Sequence, residues 1–218
     1  MLAVLPLVIT ALAHPAEAQA APLRVQAPQL KWQWGGCFQD WCETGWYSSP
    51  VVADLDGDGR KEVIGSTYSI FSLDGPTGKL EWRVAAGKDR SVPFQMNEWR
   101  TYPGIVVADL DADGKLEIAT GHDGGYVSVY DHNGYFESGW PQRPTRYEPH
   151  SLAAYDLEND GCVELIMTAD VLDPVNTWVF NADGRLRPGW PQWRTGGDDY
   201  SAGTYNDTMA VGDRKSVV

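Results

Sequence analysis

Short apolar runs alternate with turns rich in Gly, Asp and Asn from Lys31 onward. Val51-Val52-Ala53 precedes an acidic stretch and Val63-Ile64 follows it. Further runs are Ile70-Phe71-Ser72-Leu73, Tyr126-Val127-Ser128-Val129-Tyr130 and Thr177-Trp178-Val179-Phe180. Brief segments rich in β-branched and aromatic residues, bounded by turn residues, read as strands. The turns Asp74-Gly75-Pro76-Thr77-Gly78, Asp131-His132-Asn133-Gly134 and Asn181-Ala182-Asp183-Gly184 carry hairpin chemistry. Each leads to a segment with tryptophan: Leu80-Glu81-Trp82, Gly139-Trp140-Pro141-Gln142 and Gly189-Trp190-Pro191-Gln192. No stretch of the mature chain shows helical periodicity. About four short strands per unit is the pattern of a propeller blade. The expected fold class is all-β, a β-propeller of four-stranded blades.

The polar stretches between the first two strands of each unit repeat one another. They read Asp54-Leu-Asp56-Gly-Asp58-Gly59-Arg60-Lys-Glu62, Asp109-Leu-Asp111-Ala-Asp113-Gly114-Lys115-Leu-Glu117 and Asp156-Leu-Glu158-Asn-Asp160-Gly161-Cys162-Val-Glu164. Carboxylates fall at positions 1, 3, 5 and 9, with glycine at 6. Calcium takes six to eight oxygens, and a tight loop of alternate carboxylates supplies most of them. Glycine at 6 allows a sharp turn that a Cβ would hinder. Position 7 offers a backbone carbonyl, so Arg60, Lys115 and Cys162 are free to vary there. An EF-hand would need a bidentate Glu at position 12 and flanking helices. Position 12 is Gly65, Thr120 and Met167, and the flanks are strands. The other reading is a set of acidic turns without metal, since Asp, Asn and Gly favour turns for local reasons. In the third loop Glu158 is one methylene longer than Asp and must fold back to reach the same ion.

Asp54 to Asp109 is 55 residues and Asp109 to Asp156 is 47, periods that mark propellers and related repeats. The blades are expected over roughly 31–84, 101–142 and 149–192. A stub over 203–218 follows, where Met209-Ala210-Val211-Gly212-Asp213 begins a fourth unit that Arg214-Lys215-Ser216-Val217-Val218 does not continue. The chain thus reads as an incomplete arc, truncated at its C-terminus, with missing blades, a further domain, or an oligomer of partial rings to complete it.

Composition narrows the partners. Lys plus Arg number 17 against 30 Asp plus Glu, a formal net charge of −13. Nucleic acid is therefore not expected, because duplex binding relies on basic surface. Leu2 to Leu12 is almost wholly apolar and too short for a bilayer span. Ala18-Gln19-Ala20 is an Ala-x-Ala cleavage pattern, although no Lys or Arg precedes the apolar run. Residues 1–20 are read as a signal peptide and 21–218 as the mature domain. It is expected to be secreted, extracellular or at the cell surface, with the periplasm as an alternative. No membrane span is expected in the mature chain. Cys37 and Cys42 lie in a Trp-rich loop and suit a disulfide after export, leaving Cys162 over.

Val51-Val-Ala-Asp-Leu-Asp-Gly-Asp-Gly59, followed by Glu62-Val-Ile, resembles the calcium-loop half of FG-GAP or VCBS-like repeats. The resemblance covers roughly Lys31 to Asp213, specific in the loops and looser between them. It implies a β-propeller of the kind found in integrin α subunits and secreted bacterial proteins, usually seven-bladed, with calcium as the cofactor. The side-chain ligands it implies are Asp54, Asp56, Asp58 and Glu62; Asp109, Asp111, Asp113 and Glu117; and Asp156, Glu158, Asp160 and Glu164. The family's Phe-Gly and Gly-Ala-Pro signatures are absent, which favours the broad bacterial class over an integrin relative. Gly65-Ser66-Thr67, Thr120-Gly121-His122 and Thr168-Ala169-Asp170 stand in the approximate place of the latter. Separately, Leu73 to Trp82 is similar to the blade motif of quinoprotein dehydrogenases and their outer-membrane assembly relatives. There the tryptophan docks one blade on the next, so the likeness concerns architecture and implies no quinone.

The segments leading into each unit share aromatics: Trp46-Tyr47, Trp99-Arg100-Thr-Tyr102, Arg146-Tyr147-Glu-Pro-His150, then Tyr200 and Tyr205. In a propeller they gather at the face opposite the calcium hairpins. Flat rings with interspersed Arg and His suit a glycan or a protein ligand. Equally, such rings can form the core between blades. No Gly-x-Ser-x-Gly elbow, His-Glu-x-x-His or phosphate loop is present. His122-Asp123 and His150 could do acid–base work, so a polysaccharide lyase or hydrolase on a propeller stays open beside a purely structural propeller. The reading is a calcium-stabilised binding or adhesion module, more a binder than an enzyme.

Overall fold

The computed structural model describes residues 27–38, 41–43, 48–95, 99–169, 175, 177–191, 209, 211 and 212. The chain separates into two compact units, Met1–Leu30 and Lys31–Val218, and every strand described lies in the second. The expected signal peptide, Trp46, Tyr47, Tyr200, Tyr205 and most of the expected stub lie outside the described residues. Among the described residues all regular structure is β, and no helix is long and apolar enough to cross a membrane.

A short antiparallel pair comes first, β1 (Gly36–Phe38) with β2 (Trp41–Glu43). Its register sets Cys37 directly across from Cys42. The first large sheet has four antiparallel strands: β3 (Val51–Ala53), β4 (Glu62–Ser66), β5 (Ser69–Asp74) and β6 (Leu80–Ala85). The second holds β7 (Val106–Ala108), β8 (Glu117–His122) and β9 (Tyr126–Tyr130). The third holds β10 (Pro149–Tyr155), β11 (Glu164–Ala169) and β12 (Thr177–Phe180). Sequential strands are neighbours throughout, as meandering antiparallel chains require.

A fourth strand was expected in every unit, and among the described residues only the first sheet has one. Elsewhere the corresponding segment is reduced to isolated bridges, Val127↔Gln142, Tyr130↔Phe136 and Phe180↔Leu186. Pro141 and Pro191 have no N–H to give a ladder, and Gly139 and Gly189 take positive φ just before the tryptophans.

The central strands β8 and β11 are buried along their whole length, and the second sheet packs the first on one face and the third on the other. One core is shared by the first two sheets and includes Leu55, Ile64, Ile70, Trp82, Ile118 and Tyr130. The other joins the second and third through Ala119, Val127, Val129, Trp140, Met167 and Phe180. Close approach explains the small residues on these strands. A Cβ on Gly121 would lie 2.6 Å from Pro149 and 2.9 Å from Pro103.

Recurrent indole hydrogen bonds tie unit to unit. Trp82 Nε1 donates to His132 O at 3.0 Å, and Trp140 Nε1 to Ala182 O at 2.8 Å. Trp32 makes the same bond to Gly75 O at 2.9 Å. Each acceptor sits in the turn after the third strand of a sheet, and Trp82 and Trp140 each cap that turn of the next sheet.

Candidate functional site

Each acidic loop joins the first two strands of its sheet, so its last carboxylate opens the central strand. Glu62 begins β4, Glu117 begins β8 and Glu164 begins β11. All three are buried. Each turns back to accept the N–H after the loop's first aspartate: Leu55 N to Glu62 Oε2 at 2.7 Å, Leu110 N to Glu117 Oε2 at 2.7 Å, Leu157 N to Glu164 Oε2 at 2.9 Å. The first aspartate accepts the N–H of the position-6 glycine, at 2.9 Å for Asp54–Gly59, 3.0 Å for Asp109–Gly114 and 2.8 Å for Asp156–Gly161. Position 5 accepts from position 7, as Asp58 does from Arg60 N at 2.7 Å and Asp113 from Lys115 N at 2.8 Å. These bonds fold the loop so that the carboxylates converge. Glycine at 6 has φ of 85°, 87° and 92° at Gly59, Gly114 and Gly161. Position 4 is left-handed too, with φ of 74° at Gly57, 62° at Ala112 and 58° at Asn159.

In the first loop, Asp54, Asp56 and Asp58 each bring an oxygen within 4.8 Å of the others; in the second, Asp109, Asp111 and Glu117 do so. One oxygen of the first aspartate, Oδ1 of Asp54 and of Asp109, is buried without a hydrogen-bond partner. A buried acceptor left unmatched is costly. A hard cation is the chemistry that would satisfy it here, so the residues of the first two loops fit calcium. Electrostatics agree. Burial pushes the Glu117 carboxyl up to about 7, against the pull of the Leu110 N–H, with Asp111, Glu137 and Asp113 adding repulsion. Glu62 is raised by burial and by Glu81, Asp56 and Asp54, again despite an N–H bond from Leu55. The two loops hold more negative charge than they neutralise.

The position-7 side chains do different things. Arg60 pairs with Asp74, Lys115 Nζ reaches Asp113 Oδ2 at 2.8 Å, and Cys162 is an exposed free thiol. In the third loop Asp160 N donates to Asp156 Oδ1 at 3.1 Å, so that aspartate has both oxygens engaged. Arg187, which loop spacing gave no reason to suspect, lies against Glu164 and Glu158. Glu81 and Glu137, near the first two loops, were missed for the same reason: they belong to the far hairpin.

The aromatic lead-in segments sit at the other end of the strands. Thr101 N donates to Thr67 O at 2.9 Å and Asp123 N to Arg100 O at 2.9 Å. Thr67 follows the last residue of β4, whereas the acidic loop precedes its first, a separation of roughly 16 Å along the strand. Trp99, 38% exposed, stacks on His122 at 5.6 Å and on Tyr126 at 5.6 Å. Arg143 lies over Tyr126 at 5.0 Å, and Arg100 over Tyr102 at 5.0 Å while bonding Asp123. Tyr102 meets His150 at 6.3 Å, and Arg146 donates to the Tyr147 hydroxyl at 2.7 Å. The β8–β9 turn gathers both segments: Asp123 holds Arg100, and Gly125 is packed against the carbonyls of Thr145 and Tyr147. His122 is fully buried, and burial lowers its ring to about 4. It is therefore a neutral packing residue whose Nε2 lies 3.0 Å from Ser128 Oγ.

Residues 109–167 match the FG-GAP-like repeat family. The match runs from the first aspartate of the second loop, through the third loop, to Met167. Over those residues the chain is similar to FG-GAP-like repeats. Acidic loops with the same hydrogen-bond frame place the first unit of the chain in register with it. No curated protein matches the chain. Among solved structures, the biofilm matrix protein Bap1 of V. cholerae is similar at 23% identity and a TM-score of 0.31, over 63% of this chain and 27% of that one. BBS1N, in complex with ARL6DN and soaked with lead, is similar at 9% identity and a TM-score of 0.42, over 67% of this chain and 57% of that one. The mercury-soaked crystal of the same complex gives 9% and 0.43 over the same shares. The matched region thus spans well under two thirds of each of these chains.

Proposed function

We propose that the chain is part of an exported, calcium-stabilised β-propeller of FG-GAP-like repeats, built to bind a glycan or protein rather than to turn over a substrate. Residues 1–20 serve as the signal peptide and residues 21–218 form the propeller region. Calcium is structural. In the first loop Asp54, Asp56, Asp58 and Glu62 hold it, with the Arg60 carbonyl; in the second Asp109, Asp111, Asp113 and Glu117 do, with the Lys115 carbonyl. Extracellular modules bind calcium at ~10⁻⁴–10⁻³ M, a range suited to constant occupancy outside the cell. Cys37 and Cys42, opposed across β1 and β2, form a disulfide, since directly opposed antiparallel positions fall within disulfide reach.

The observation that carries the binding reading is the separation of chemistries. Carboxylates crowd one end of the strands, while Trp99, Tyr102, Tyr147, His150 and their arginines gather at the other around the β8–β9 turn. Partly exposed rings flanked by guanidinium donors are a surface on which a sugar or an extended peptide can stack. The neutral, buried His122 removes one candidate acid–base group from that face.

The test is retention on a panel of immobilised polysaccharides and matrix proteins, with the calcium-loaded chain and with Trp99→Ala and Tyr147→Ala. Retention without turnover, weakened at least tenfold in both variants, is expected. Release of cleaved polysaccharide would overturn the reading in favour of an enzyme. Absence of both retention and turnover would leave a structural propeller.

A further inference from the structure

The three acidic loops share a sequence but not the charge that faces them. In the second unit Glu137 N donates to Val129 O at 2.9 Å, and in the third Arg187 N donates to Val179 O at 2.9 Å. Trp140 N donates to Glu137 O and Trp190 N to Arg187 O, both at 3.0 Å. Glu137 and Arg187 therefore hold one structural position, three residues before the unit's tryptophan. In the first unit Glu81 is the acidic residue on that side, lining one cavity with Asp56 and Glu62; Arg90 lines it too, with its Nη1 donating to the Asn133 carbonyl at 3.0 Å. Glu137 likewise lines a cavity with Asp111 and Glu117. A carboxylate thus faces each of the first two loops, and a guanidinium faces the third.

The third loop has closed around that guanidinium. Arg187 Nη1 lies 2.9 Å from Glu164 Oε1, and its other terminal nitrogen meets Glu158. The Glu164 side chain is 5% exposed and that of Arg187 22%. With Glu158 drawn to Arg187, Asp160 N turns to Asp156 Oδ1. That oxygen has no partner in the first two loops. Two of the four carboxylates, Glu158 and Glu164, are thus held by a guanidinium, and a third, Asp156, has both oxygens bonded to backbone donors.

We propose that Arg187 is the resident cation of the third loop and closes it to divalent ions, while Glu81 and Glu137 leave the first two loops open. The inference rests on the calcium reading for those two loops and deepens it. Calcium needs six to eight oxygens. To gather them here it would have to displace a planar, permanently charged fork from two carboxylates. Arg187 would then be left partly buried and unpaired, the costly way to break an ion pair. Glu158, the longer acid at position 3, has the reach that this pairing requires.

The experiment counts calcium ions on the full mature chain by equilibrium dialysis and native mass spectrometry, for the wild type, Arg187→Glu and Glu137→Arg. Beside it, the wild type and Arg187→Gln are melted in chelator. Two ions are expected on the wild type, three on Arg187→Glu and one on Glu137→Arg. Arg187→Gln should melt several degrees lower in chelator. Three ions on the wild type would overturn the proposal, as would an unchanged melting point for Arg187→Gln or a count that does not follow the two charge changes. No ion on the wild type, with Arg187→Gln still destabilised, would remove the calcium reading of the first two loops and keep Arg187 as the cation of the third.

Discussion

Asp54 and Asp109 each commit one oxygen to a glycine N–H and keep the other buried with nothing to accept. Behind them Glu62 and Glu117 carry carboxyls raised by burial, as does Glu137. In the ion-free protein these groups set a pH dependence whose sign is fixed. Glu117 ionises from an ordinary value of 4.5 when unfolded and from about 7 when folded, so the folded state binds the proton more tightly. The stability this confers is complete below about 4.5 and is lost as pH rises through about 7. We expect the melting temperature in chelator to fall across that interval, and calcium to abolish the fall by neutralising the cage. Glu117→Gln keeps an acceptor for Leu110 N without the charge. It should raise the melting point in chelator at pH 8 by a few degrees, flatten the pH profile and shrink the calcium-induced shift. A profile in chelator as steep as that of the wild type would show that Glu117 is not the group responsible. The carboxylates at positions 1, 3, 5 and 9 were legible because loop chemistry is local. Arg187 was not: it reaches the third loop only through the register of a hairpin that folds back from Phe180. The left-handed position 4 was equally hidden, since Ala112 and Asn159 stand where only the first loop has glycine.

At the scale of elements, strands and turns were readable because their period and punctuation are local, and the runs that suggested strands match β3–β5, β9 and β12 closely. The tryptophan segment departs from the four-strand pattern: beyond the first sheet it is pinned mainly by isolated bridges and by the indole. Trp140 shows what the aromatic does: its ring is buried in the core shared with β12, and its Nε1 caps the turn carbonyl of Ala182. Trp140→Phe keeps most of the ring and removes the donor. The lost bond should cost about 1 kcal/mol, which lowers the melting point by about 2–4 °C in a chain of this size. An equal loss in a Trp140→Phe chain already lacking the Asn181–Gly184 turn geometry, through Gly184→Val, would show that the indole bond to the turn is not what the substitution removes.

The whole molecule is held by cores that belong to pairs of sheets, not to single ones. Ile118 and Ala119, adjacent on β8 and fully buried, face different cores, one shared with the first sheet and one with the third. The middle sheet therefore cannot open without exposing both neighbours, and β8 should show the slowest amide exchange in the chain. Calcium bound as proposed would enter this network through one residue in each of the first two sheets, because Glu62 and Glu117 both close a loop and begin a central strand. Fixing either carboxylate on an ion holds the first pair of each strand's ladder in place. Hydrogen exchange followed with and without calcium should then show slower exchange through β4 and β8. In β11 the corresponding Glu164 is already held by Arg187, so its exchange should change little. Uniform slowing across all three sheets would mean that calcium acts through the net charge of −13, a long-range effect that added salt would reproduce. Slowing confined to β4 and β8, and insensitive to salt, would place the action of the ion in the two loops whose buried oxygens lack a partner.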